Sequence, residues 1–181
     1  INHAPIDGFV DGDIDLLVKR STDGGKTWSA QQVIWNDATN TCGNPAPVVD
    51  QATGIVWLLM TWNLGADKED QILYRKARDT RRVFITHSAD NGLTWSPPVE
   101  ITTSVKRPDW GWYATGPVNG IQLTRGPHRG RLVIPANHST LTTSTLEMPS
   151  ATMTMTKLRI RLFDTVWLRS AASSCELVVI Q

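Results

Sequence analysis

The chain carries almost no net charge, no long apolar run and only two cysteines among its 181 residues. Eighteen Lys and Arg against 17 Asp and Glu leave a formal charge of +1. Nothing in that balance draws in a nucleic acid or an anionic membrane surface, so neither is expected as a partner. No stretch of 18 apolar residues occurs, which excludes a membrane-spanning helix from the expected elements. Cys42 and Cys175 are far apart and form no metal or redox motif, so two isolated thiols are expected, with a disulfide between them the alternative, and no metal is expected. The start lacks the basic-then-apolar pattern of a secretory signal. Because the chain opens on Ile1 and not Met, a preceding segment is expected. Tyr and Phe are scarce, two and three, beside eight Trp. That imbalance suits sheets packed on sheets, or surfaces that stack on sugars. The length allows one domain with a substantial core.

What is present is a repeat. Residues 21–28, Ser-Thr-Asp-Gly-Gly-Lys-Thr-Trp, return as residues 88–95, Ser-Ala-Asp-Asn-Gly-Leu-Thr-Trp. The shared pattern is S-x-D-x-G-x-T-W, built on Ser21, Asp23, Gly25, Thr27 and Trp28 and on Ser88, Asp90, Gly92, Thr94 and Trp95. Short Asp and Ser side chains bond nearby backbone N–H groups and hold a turn. Gly25 and Gly92 provide the positive φ of a tight corner, and each Trp leads into the next strand to pack on a neighbouring sheet. The motif reads as a structural hairpin clasp. Its flanks repeat as well: Asp15-Leu-Leu-Val-Lys-Arg and Arg82-Val-Phe-Ile-Thr-His precede the copies, and Gln32-Val-Ile and Val99-Glu-Ile follow them. Asp23 and Asp90 lie 67 positions apart, more than the roughly 40–50 residues of ordinary propeller repeats. The spacing predicts one blade plus a long insertion, placed at residues 65–80 between blades, in sheets stacked around an axis.

The twin clasps are Asp-boxes, and the chain resembles the bacterial-type sialidases (neuraminidases, exo-α-sialidases). Gly12-Asp-Ile-Asp-Leu-Leu-Val-Lys-Arg, Gly43-Asn-Pro-Ala-Pro-Val-Val-Asp, Gly116-Pro-Val-Asn-Gly-Ile-Gln-Leu and Gly130-Arg-Leu-Val-Ile-Pro-Ala-Asn-His carry the resemblance in this order, over about residues 1–138. It implies an all-β fold, a fragment of a six-bladed β-propeller with two to three blades present. It also implies a glycoside hydrolase that removes terminal sialic acids from glycans or glycoproteins, without a cofactor, secreted or periplasmic in its full-length form. A non-catalytic Asp-box module that binds carbohydrate is the alternative. Sialidases use a Tyr nucleophile, because a carboxylate there would be repelled by the substrate's own carboxylate. Three arginines clamp that group through charge-assisted hydrogen bonds. The resemblance puts the first clamp Arg upstream of Ile1, and the other two, the Tyr and its Glu beyond residue 138. No residue here matches them, so the isolated chain is expected to be incomplete and inactive.

One catalytic candidate remains. Asp7, Asp11, Asp13 and Asp15 crowd a glycine-containing loop that feeds a strand starting near Ile14. The resemblance implies an acid/base Asp on a loop ahead of the first box strand; by position it falls on Asp11, with Asp7 the alternative. Trp110 and Trp112 sit in an aromatic stretch beside Gly and Pro, read as a loop, where they suit either stacking on a sugar or packing between blades. His138 and Asn137 end a hairpin and either face the pocket or brace the scaffold. Asn44 reads as a residue that braces the backbone. Residues 55–62 are apolar enough for an inner strand, and the Pro-containing stretch before them suits an edge strand.

The last 43 residues contain no glycine, whereas all 13 glycines precede residue 131. Eight threonines and three of the four methionines fall there instead. Tight propeller turns need positive φ, so residues 139–181 are expected to be a shifted reading frame or an aberrant gene end. Residues 158–168 and 177–180 have strand-like composition.

Overall fold

The computed structural model describes residues 12–116, 118–141, 151–152 and 175–180. Asp7 and Asp11 lie outside them, as does the 158–168 stretch. Strand β4 (Val56–Asn63) is apolar at most positions, and it is buried from both sides. Successive side chains of a strand point to opposite faces, and here the two sets go to different neighbours. Leu58, Met60 and Trp62 pack with Leu16, Ile34 and Trp35 of a two-stranded sheet made of β1 (Leu16–Val18) and β2 (Gln32–Trp35). Leu59, flanked by Trp57, packs with Trp110, Tyr113, Leu132, Ile134 and Ala136 of a third sheet. A sheet covered on both faces by other sheets is the stacking that the repeat predicts.

The middle sheet is an antiparallel meander of β3 (Thr41–Val49), β4, β5 (Arg82–Ser88) and β6 (Val99–Glu100). β3 holds Pro45 and Pro47 and forms the sheet edge, where a missing N–H does no harm. Cys42 pairs with Trp62 and Gly43 with Thr61, but Ala46 pairs with Leu59. The extra residue is a bulge, and it flips the alternation. Cys42 therefore joins one core cluster, and Ala46 and Val48 join the other. Asn44 absorbs the bulge with φ of 50°. The third sheet is organised around β9 (Leu132–Leu141). It pairs with β7 (Trp110–Thr115), β8 (Ile121–Gln122), β10 (Ala151–Thr152) and β11 (Cys175–Ile180). The β8–β9 hairpin and the strand character of 177–180 agree with the sequence reading. None of the described helices is long and apolar enough to cross a membrane.

Three expectations need correction. Residues 65–80 do not connect blades. They join β4 to β5, which are hydrogen-bonded neighbours from Val56–Ser88 to Trp62–Arg82, and so lie within one sheet. The segment contains helix α1 (Glu69–Leu73), whose Ile72 is buried against Trp112 and Ala114. The aromatic stretch at 110–115 is not a loop but strand β7, buried at all six positions. A loop there would leave its backbone groups without the partners that β9 supplies.

The third correction concerns one box. The two clasps agree bond for bond. In the first, Asp23 Oδ1 accepts the backbone N–H of Lys26 (3.0 Å) and Thr27 (2.9 Å), and Oδ2 accepts the Thr27 hydroxyl (2.6 Å). Ser21 Oγ donates to Asp23 (2.8 Å) and accepts the Gly25 N–H (2.7 Å). In the second, Asp90 makes the same bonds with Leu93 (3.0 Å), Thr94 N–H (2.8 Å) and Thr94 Oγ1 (2.6 Å). Ser88 repeats the role of Ser21 at 2.8 Å to both Asp90 and Gly92. Consecutive positive φ angles, Gly24–Gly25 and Asn91–Gly92, make the corner. The tryptophans differ, however. Trp95 packs on the cluster shared with β1 and β2, whereas Trp28 is 61% exposed, since no described sheet lies over the first box. The second box is further tied to its neighbour by Arg20 Nε to Asn91 O (2.7 Å) and Gln32 Nε2 to Leu93 O (2.9 Å).

Two predictions follow from this architecture. Hydrogen bonds from Thr27 and Ser21, and from Thr94 and Ser88, hold the Asp23 and Asp90 carboxyls at about 2, below the usual 3.8. A depressed folded-state pKa adds stability above the unfolded value and loses it as pH falls through the folded one. Urea unfolding between pH 4.5 and 2 is therefore expected to show a steeper loss of stability for the native chain than for Asp23→Asn/Asp90→Asn; parallel curves would contradict the clasp. Leu59→Ala and Met60→Ala, on opposite faces of β4, are each expected to cost about 2–5 kcal/mol. A near-neutral result for either would mean that one face is open.

Candidate functional site

Each strand of the middle sheet has two ends. Val56 pairs with Ser88 at the box end, while Thr41 pairs with Asn63 and Trp62 with Arg82 at the other. That second end receives the residues following Asp11. The Gly12 N–H donates to Gly65 O (3.1 Å), and Thr41 Oγ1 donates to Gly12 O (2.8 Å). The Ile14 N–H donates to Asn40 O (3.2 Å), and the Cys42 N–H to Ile14 O (2.8 Å). Gly65 permits this approach: a Cβ there would lie 1.8 Å from Thr39 O and 3.2 Å from Gly12 O. Only glycine fits. Nearby carboxylates are committed to structure. Asp15 accepts from Asn36 Nδ2 (2.6 Å), and Asp37 from Trp62 Nε1 (2.7 Å) and Asn40 Nδ2 (3.0 Å). Asp13 is exposed.

Behind this end lies a buried polar cluster that sequence reasoning missed. Arg81 is fully buried. Its guanidinium donates to Asn63 Oδ1 (2.6 Å) and to Asn44 Oδ1, and it stacks 4.0 Å from the Trp112 ring centroid. Thr61 Oγ1 also donates to Asn44 Oδ1 (3.1 Å). Two donors on one oxygen fix the Asn44 amide, so its Nδ2 is held as a donor. Burial pushes the Arg81 guanidinium down to about 9, so it stays charged at neutral pH. Lys106 Nζ donates to Arg81 O (3.0 Å), Gly111 O (2.7 Å) and the Thr80 hydroxyl. Burial, with Arg81 next to it, pushes that amine down to about 7. The sequence held one weak signal for Arg81: it has the strand parity of Val83, a core residue. Arg-Arg at a strand start otherwise reads as surface charge.

The proposed substrate-contacting residues lie inside the fold. Trp110, Trp112 and His138 are 2%, 6% and 0% exposed. His138 stacks on Trp110 with ring centroids 3.5 Å apart. Neither of its ring nitrogens has a partner among the described residues, and burial pushes it down to about 4, so it is neutral at physiological pH. Cys42 is a free, buried thiol pushed up to about 12, chiefly by burial, and is unsuited to nucleophilic work. The described residues contain no group of His, Cys, Asp and Glu that could hold a metal ion.

Comparison with known proteins gives this geometry a family. Residues 7–176 match the BNR repeat-like domain, a match that runs past residue 138 into the glycine-free region. The chain is 34% identical over 142 residues to an exo-alpha-sialidase of Aspergillus fumigatus, a match covering 69% of this chain and 34% of that protein. It is 31% identical over 125 residues to a sialidase of Bacteroides fragilis, covering 62% of this chain and 23% of that one. Among solved structures, the Hadza microbial sialidase Hz136 superposes with a TM-score of 0.59 at 29% identity, over 77% of this chain and 28% of its own. The chain thus spans about a third or less of these relatives. Its stacked antiparallel sheets are part of a β-propeller, and the chain belongs to the BNR repeat-like domain family.

Proposed function

We propose that this chain is part of an exo-α-sialidase and supplies one wall of its active site. The observation that carries the reading is the fixing of Gly12 on both its backbone groups, at the strand ends opposite the Asp-boxes. Asp11 is covalently next to that anchor, and Asp7 lies four residues before Asp11. In this reading Asp11 protonates the departing glycosidic oxygen. The role requires surroundings that raise its pKa toward the working pH once substrate displaces water. Trp110, Trp112 and His138 stand behind the same wall and contribute to the substrate site from there. The reaction is retaining hydrolysis with a neutral Tyr nucleophile, on sialylated glycans or glycoproteins. No residue of this chain is assigned to that Tyr, to its Glu or to the arginine clamp, Arg159, Arg161 and Arg169 included.

The purified 181-residue chain is accordingly expected to leave a fluorogenic sialoside intact, and measurable turnover would contradict its incompleteness. A chimera in which residues 7–138 replace the equivalent stretch of the Aspergillus fumigatus relative is expected to hydrolyse the same substrate. In it, Asp11→Asn should lower kcat by about 10²–10⁴-fold without shifting its thermal unfolding. A folded but inactive chimera would sink the sialidase reading.

A further inference from the structure

A cleft of about 260 Å³ opens between the segment after α1 and the start of β7, lined by Arg75, Arg78, Asp79, Thr80, Trp110 and Gly111 among others. Cavities for drug-sized ligands run about 300–1,000 Å³, so this one holds a substituent and not a whole ligand. Its lining carries two arginines and one carboxylate, Asp79. Arg75 and Arg78 are exposed and have no ion-pair partner among the described residues. The carboxylates around them are engaged: Asp79 pairs with Arg82, and Asp67 accepts the backbone N–H groups of Arg78 (3.2 Å) and Asp79 (3.0 Å). Behind the wall, Lys106 bonds only to neutral acceptors, and two of them, Thr80 and Gly111, belong to the lining. Buried Arg81 likewise donates only to the neutral Asn44 and Asn63. The charged Arg81 guanidinium behind a low-dielectric wall adds its field to that of Arg75 and Arg78 in the adjoining cleft, and guanidinium groups match the geometry of a carboxylate or sulfate.

We propose that this cleft binds an oxyanion group, a sulfate or a carboxylate, carried by a sugar. That the carrier is a sugar rests on the sialidase reading; the affinity for an oxyanion does not. The test uses the whole 181-residue chain, titrated separately with sodium sulfate, with glucuronate and with neutral glucose at constant ionic strength. Arginine Nε–Hε resonances report occupancy. Two of them should shift saturably with at least one of the anions and not with glucose. Arg75→Ala/Arg78→Ala should weaken that binding at least ten-fold. Arg125→Ala/Arg129→Ala removes the same charge from the exposed 125–130 turn and should leave binding unchanged. A response to sulfate alone identifies a sulfate ester, and to glucuronate alone a sugar acid. Absence of saturable shifts with both anions, or equal weakening by the two double variants, overturns the proposal. The probes contain no sialic acid and no scissile bond, so failure of the hydrolase reading leaves this result unaffected.

Discussion

Leu59 and Met60 are consecutive, point in opposite directions, and both are completely buried. A strand whose successive side chains all leave water must have a layer on each side. Each such side chain contributes about 1.5–3 kcal/mol by burial, so covering both faces is strongly favoured. The β1–β2 sheet covers one face and the β9-centred sheet the other. The bulge at Asn44 serves the same requirement, because it lets a single edge strand place Cys42 in one layer and Ala46 in the next.

The two ends of this stack obey different physics. At the box end the bonds inside each clasp are local, within four residues, so each clasp closes its own hairpin, and the second is tied to its neighbour by Arg20 and Gln32. At the other end the partners are far apart in sequence: Arg81 reaches back 37 residues to Asn44, and Thr115 Oγ1 reaches 71 residues to Asn44 O (2.5 Å). Charges taken out of water there must be met by several acceptors and an aromatic face, or they are lost to deprotonation. Arg81 has two amide oxygens and the Trp112 ring, and Lys106 has three oxygens. An arrangement so expensive to assemble and so fixed in geometry belongs to the end where Gly12, and with it the segment carrying Asp11, is anchored.

Much of this was legible in the residues. The S-x-D-x-G-x-T-W repeat encodes its own bond pattern, because each side chain acts within four positions of itself. Strand β4 and the β8–β9 hairpin follow from local composition and turn chemistry. What could not be read depends on distant pairing. Trp28 and Trp95 occupy identical motif positions, yet one is exposed and the other packed, since only the second box faces a neighbouring sheet among the described residues. Length alone made residues 65–80 look like a connector between blades; only the β4–β5 register places them within a sheet. Arg81 and Arg82 are indistinguishable as letters, and strand parity sends one inward and the other to Asp79 and Glu100.

Native-state amide hydrogen exchange across β4 tests the stacked-sheet account most directly, because it reports which strands open only with the whole molecule. The account predicts that the amides of Leu58, Leu59, Met60 and Thr61 exchange at the slowest rates in the chain, well below those of β1 and β2, whose Leu17 and Val33 are exposed. Exchange in β4 as fast as in β1 and β2 would contradict it, since a strand sealed on both faces cannot open alone.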